Sequence, residues 1–171
     1  YETVNAMLIY SQIPEPMEKR LLRLHRQAAE LVGEISFEGV LEKTARIALE
    51  SVAASYSAVA TLDENGELER FIPAGMSKPE MDQIPHFPRG KGLIGEMMHT
   101  QTSIRLPNLQ KDPRHAGFPP FHPQMTSFLG VPIFQGKRQI GQIYLTNKTG
   151  VADFTDDDQR IIELLAAYAG V

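Results

Sequence analysis

No cysteine occurs in the 171-residue sequence. That excludes a disulfide framework, a thiolate zinc site, a cysteine nucleophile and a thioether-linked cofactor. It agrees with a reducing compartment, and a cytoplasmic location is expected, with room for a membrane anchor elsewhere in a longer parent. No apolar run approaches the roughly 18 residues that a membrane-spanning helix needs. No basic run or face stands out: 17 Lys and Arg face 21 Asp and Glu, for a net charge of −4, so nucleic acid is not an expected partner. No two histidines stand at i, i+4, and no HExxH string is present, so a zinc site is not expected. No Ser/His/Asp arrangement or spaced carboxylate pair takes a catalytic role, and the chain is not expected to be an enzyme by itself.

What is present is ordinary for a globular domain. Apolar residues make up 42% and charged residues 22%, and a chain of this length buries roughly 70% of its unfolded surface. The sequence opens on Tyr1 and stops at Val171 within a helical pattern, which reads as a piece of a longer protein. Residues 1–13 have no clear period and read as a lead-in. Pro14 and Pro16 stand where a helix would begin, and Met17, Leu21, Leu24, Ala28 and Leu31 recur at a/d spacing up to Gly33. The spacing predicts a helix over 14–32 whose seam packs either on its own domain or on a second chain. His25, beside Arg23 and Arg26, reads as solvated.

Ser36 caps a predicted helix over 37–52, with Val40, Leu41, Ala45, Ala48, Leu49 and Val52 inward. Strand-like runs at 56–62 and 67–72 flank Glu64-Asn65-Gly66, a hairpin signal. Ser77 to Glu80 form a capping box, and a helix over 92–99 and a short strand follow a glycine turn. That turn, "RGKGLIG", lacks the full phosphate-loop string, so its glycines are assigned to turn geometry and helix packing. Residues 107–125 form a long proline-rich loop, of the kind that is usually functional. "SFLGVPIFQ" and "RQIGQIYLTNK" make a second hairpin around Gly136-Lys137. Thr155 and Asp158 box the start of a last helix, 155–171, with Ile161, Leu164, Leu165 and Tyr168 as its apolar stripe. Antiparallel strands with helices at both ends imply an α+β domain, a central antiparallel sheet with helices on one face, the N- and C-terminal helices together.

Within this frame the stretch "GFPPFHPQMTSFLGVPI", Gly117 to Ile133, places four prolines and three phenylalanines around His122. Pro120 and Pro123 restrict the backbone on either side. Phe118, Phe121, Met125 and Phe128 offer apolar wall, with Ile94 from the helix after the glycine turn. A neutral imidazole is a common axial donor to haem iron, and the hydroxyl of Tyr144 is of the kind that hydrogen-bonds a diatomic ligand on iron. The plainer reading makes His122 a turn residue, Phe118 and Met125 core, and Tyr144 an ordinary strand aromatic.

"GKGLIGEMMHT", "FLGVPIFQGKRQIGQIYLTNK" and "FTDDDQRIIELLAAYAG" resemble the GAF domain, a small-molecule sensing module of bacterial signalling proteins, over about residues 36–171. The sequence is more closely similar to the haem-binding GAF domains of oxygen- and redox-sensing histidine kinases, through a "GFPPxHPxMxxFLGVP" string. That resemblance implies His122 as proximal iron ligand and Tyr144, 22 residues on, at the distal side. The sequence departs from the subgroup at Ala60 and Leu62, where it has Glu and His, and at Thr126, where it has Arg. The first departure implies either a more open haem edge or no haem.

The resemblance implies a sensory domain over 36–171, preceded by a lead-in and dimerising helix over 1–35. It also implies a homodimer through the terminal helices and a kinase output domain after the last helix. Haem is the first ligand expected. The alternatives are another small organic or anionic ligand, or a ligand-free docking module with a filled pocket. GAF-like sulfoxide reductases rely on cysteines that this chain lacks.

Overall fold

A computed structural model describes residues 15–34, 36–85, 90–114, 117–151 and 153–170. The lead-in, Pro14, His86, Arg89 and His115 lie outside the described residues. Along the chain come α1 (Met17–Ala29), α2 (Phe37–Ser51), β1 (Ala54–Leu62) and β2 (Leu68–Ala74). After them come α3 (Lys78–Gln83), α4 (Gly92–Thr100), β3 (Ile104–Leu106), a 3-10 turn at Leu109–Lys111, β4 (Phe128–Gln135), β5 (Arg138–Lys148) and α5 (Asp156–Ala169). The strands make one antiparallel sheet in the order β2-β1-β5-β4-β3. This is the α+β architecture the sequence pattern implies.

Strand side chains alternate between the two faces of a sheet. On one face Val59, Leu129, Val131, Ile133, Ile143 and Leu145 meet α1, α2 and α5 in the main core. On the other, Ala58, Ala60, Phe128 and Tyr144 join Leu93 and Met97 of α4 in a second cluster. Both faces are covered, which accounts for the nearly continuous burial of β1, β4 and β5.

The helices depart from expectation in particulars. The α1 seam packs on its own domain through Leu24, Ala28 and Leu31, and Leu21 is exposed. Thr44 and Ile47 of α2 are buried, while Val40 and Leu49 are only partly so. The inward stripe of α5 is Ile161, Ile162, Leu165 and Ala166. Leu164 and Tyr168 sit at its exposed edge, because α5 is wedged between sheet and α1 and its buried arc is turned by one residue. Tyr168 there meets His25, whose Nδ1 lies 3.0 Å from the tyrosine hydroxyl, so His25 has a partner.

One carboxylate joins the helical face. Asp158 is 1% exposed. It accepts from the Thr155 backbone N–H at 2.9 Å, from Arg20 at 2.6 Å and from Lys148 at 3.0 Å. Lys148 also donates to the Val52 carbonyl at 2.6 Å, and Arg20 to the Ser51 carbonyl at 3.4 Å. Two cations thus satisfy carbonyls at the C-terminal end of α2, and the carboxylate between them sits in the first turn of α5.

Burial opposes ionisation of Asp158, but the Thr155 N–H, Arg20 and Lys148 outweigh it and hold the carboxyl below its ordinary value of 3.8. Its contribution to stability is full above that value and is lost as pH falls through the lower folded-state one. Asp158→Asn leaves two buried cations without their anion and should lower unfolding stability by about 3 kcal/mol at pH 7 in urea melts. The variant should also lose this part of the acid-induced destabilisation. Parental stability at pH 7 would remove the network from this role.

Candidate functional site

The sheet face away from the long helices carries unusually small residues. Across the register, Pro73, Ala58, Tyr144 and Gly130 lie in one row. Tyr144 is thus flanked by a methyl group on one side and no side chain on the other. A Cβ on Gly130 would stand against Met97 Sδ and the Phe128 ring. In the next row Thr146 lies between Tyr56 and Phe128. Large residues alternating with small ones leave space that α4 and the 107–125 loop roof over without filling. The result is a cavity of about 410 Å³, within the common size range of small-molecule sites.

The roof is held by local chemistry. Gly90 and Gly92 have φ of +66° and +63°, a backbone region that favours glycine, and Gly95 packs on the Gly90 carbonyl. The glycines of "RGKGLIG" therefore serve turn and packing. Asn147 fastens the end of the loop: its Oδ1 accepts from Thr126 N at 2.8 Å and its Nδ2 donates to the Gln124 carbonyl at 2.9 Å. Its φ is +59°, which Asn tolerates better than most residues. Leu109 N donates to the Thr126 carbonyl at 2.7 Å, and Gln110 Nε2 to the Met125 carbonyl at 3.0 Å. Asn147 was not among the residues singled out from the sequence; an Asn at the end of a hydrophobic strand was the one available signal.

His122, Phe118, Met125, Phe128, Tyr144 and Ile94 all line the cavity. Phe121 does not. It is 76% exposed with φ of +65°, at the third position of a turn closed by His122 N to the Pro119 carbonyl at 3.3 Å. Pro120 before it presets such a turn, and the turn points the ring outward. The expectation of Phe121 as cavity wall is corrected accordingly. Tyr56, Phe71, Met76 and Lys91 line the cavity instead. They escaped sequence reasoning because they come from the first hairpin, the segment after it and the glycine turn, remote in the chain from the histidine loop.

The His122 ring stacks on Phe118, with centroids 4.5 Å apart and planes at 15°. Its Nδ1 lies 2.9 Å from the Pro123 carbonyl oxygen. A carbonyl only accepts, so Nδ1 carries the proton and Nε2 keeps its lone pair. This donor set fits an axial ligand to iron, since metal-bound imidazoles are commonly oriented by such a bond. The distal expectation fares differently. The Tyr144 hydroxyl donates to Gln142 Oε1, and burial pushes its pKa up, so it stays protonated. Its proton is committed to a neighbour two residues away on the same strand face. Gln142 is fully buried, and its Nε2 has no hydrogen-bond partner among the described residues. Thr146 likewise donates to Met125 Sδ at 2.7 Å. Among the described residues no group of three or more His, Asp or Glu could hold a metal ion, and no helix is long and apolar enough to cross a membrane.

Residues 34–171 match the sequence model of the GAF domain. Among solved structures, the chain is similar to the GAF domain of a phosphoenolpyruvate-protein phosphotransferase from Acinetobacter, with a TM-score of 0.75 and 22% identity over 89% of this chain and 90% of that one. The corresponding domain from Coxiella burnetii gives 0.77 and 18%, over 91% and 93%. Free methionine-R-sulfoxide reductase from Neisseria meningitidis, solved with its substrate, gives 0.69 and 19%, over 86% and 83%. At these identities the likeness concerns the fold.

Proposed function

The chain belongs to the GAF domain family, and on that premise we propose that it is a regulatory sensor module whose ligand occupies the cavity between the sheet and the 107–125 loop. The cavity carries this reading. It has ligand-site volume, apolar walls and a few polar groups, and its roof is a loop anchored at both ends. The module is read as non-catalytic, with no thiol in the chain for reductase chemistry.

The finer reading places it in a bacterial two-component sensor kinase with an output domain after α5. Ligand state would reach that domain through α1 and α5, which pack together and carry exposed Leu21, Leu22, Leu164 and Tyr168. These side chains offer a surface for pairing two copies through the terminal helices. Sedimentation at rising concentration should show a dimer that Leu22→Glu weakens; a monomer throughout would sink the pairing.

Ala58→Leu tests the cavity itself. The added side chain enters open space between Tyr144 and Pro73. It should leave a cooperative melt while removing the fluorescence gain of the neutral probe N-phenyl-1-naphthylamine that is expected with the parent. Undiminished probe binding would place the ligand elsewhere.

Haem is a second reading, favoured by the protonated Nδ1 and open lone pair of His122. Bound there, haem would supply an iron centre for a diatomic gas or an electron. His122 would hold it, with Phe118, Met125 and Phe128 against the macrocycle. Added haemin should then give a sharp Soret band that His122→Ala abolishes. Broad free-haemin absorbance with the parent would remove haem and leave the cavity to another molecule.

A further inference from the structure

The geometry points to an amphipathic organic anion as the ligand of this cavity, an apolar body with a single acidic group placed against Lys91. The inference rests on the sensor reading above and narrows its ligand class. Among the described residues lining the cavity, Lys91 is the one charged side chain, and no Asp or Glu is present. Lys91 lines the cavity, is exposed and makes no ion pair among the described residues, which leaves its ammonium available to a ligand.

Several other polar groups of the wall are already occupied. Ser57 donates to the Ala45 carbonyl at 2.5 Å, Tyr144 to Gln142 and Thr146 to Met125. His122 Nδ1 is committed to the Pro123 carbonyl. An apolar ligand body gains from leaving water along Phe71, Ile94, Phe128 and Met76. An acidic group buried deeper in that wall would meet no second Lys or Arg among the described residues. Against the exposed Lys91 it meets an ammonium and keeps part of its hydration, which avoids most of the desolvation cost. A ligand cation would find no carboxylate to pair with and would be repelled by Lys91. The sign of the single wall charge therefore selects the sign of the ligand.

Two fluorescent probes that share a naphthylamine body test this. 1-Anilinonaphthalene-8-sulfonate carries one anionic group, and N-phenyl-1-naphthylamine carries none. Each is titrated into the intact chain, with mutual displacement establishing that they share the cavity. The anion should bind about tenfold more tightly than the neutral probe, as a charge-assisted contact allows. Lys91→Gln should reduce it to the affinity of the neutral probe, and Lys91→Arg should keep most of the difference. Added salt should weaken the anion and leave the neutral probe unchanged. Equal binding of both probes, unmoved by Lys91→Gln, would overturn the anion inference and leave the sensor cavity standing. A preference for the anion that survives Lys91→Gln would overturn the assignment to Lys91. Binding of neither probe would overturn the cavity as a ligand site, and this inference with it.

Discussion

Asp158 is buried within reach of a guanidinium, an ammonium and a backbone N–H, and the arrangement of the helices depends on it. The C-terminal carbonyls of α2 would face α5 unsatisfied without Arg20 and Lys148. Those two cations would be uncompensated without Asp158. The carboxylate at the start of one helix and the cations at the end of another each sit where the helix dipole favours them. Four segments, α1, α2, β5 and α5, thereby share one charge centre. A buried pair of this kind is weak evidence of net stabilisation against an apolar alternative. Its effect is to fix one register: α1 cannot slide along α5 without stripping Arg20 from Asp158.

With the helical face fixed, the opposite face is free to be incompletely filled. Ala58 on one side of Tyr144 leaves room in the cavity, and Gly130 on the other makes way for Met97. The sheet's other face packs on three helices through a continuous cluster of buried apolar side chains. The close-packed helical face and the cavity thus lie on opposite sides of one sheet. This division explains how one fold is shared with proteins less than a quarter identical, such as the phosphotransferase domains and the sulfoxide reductase. The scaffold is common to them, and a shared fold does not fix a shared ligand.

The element order was largely legible in the sequence. Helices and strands came from local signals: the Thr155–Asp158 box, and the Gly136-Lys137 turn between "SFLGVPIFQ" and "RQIGQIYLTNK". The buried arc of α5 was displaced by one residue, because periodicity gives a stripe but not the direction of the neighbours. Asp158 was legible as a helix cap and no more. Its partners lie 138 positions away in Arg20 and ten in Lys148, and no local pattern joins them.

The histidine loop divides in the same way. From the sequence alone came the loop, the restriction of His122 by its prolines, and the apolar character of its surroundings, since these follow from residue type and spacing. Only the tertiary structure decided that Phe121 turns outward through a positive φ, that the Tyr144 hydroxyl donates to Gln142, and that Lys91 is the one charged side chain among the described residues of the wall. The physical reason is that a cavity is what remains when distant segments pack. Its volume depends on the small side chain of Ala58 beside Tyr144, and its charge on a residue from another turn of the chain.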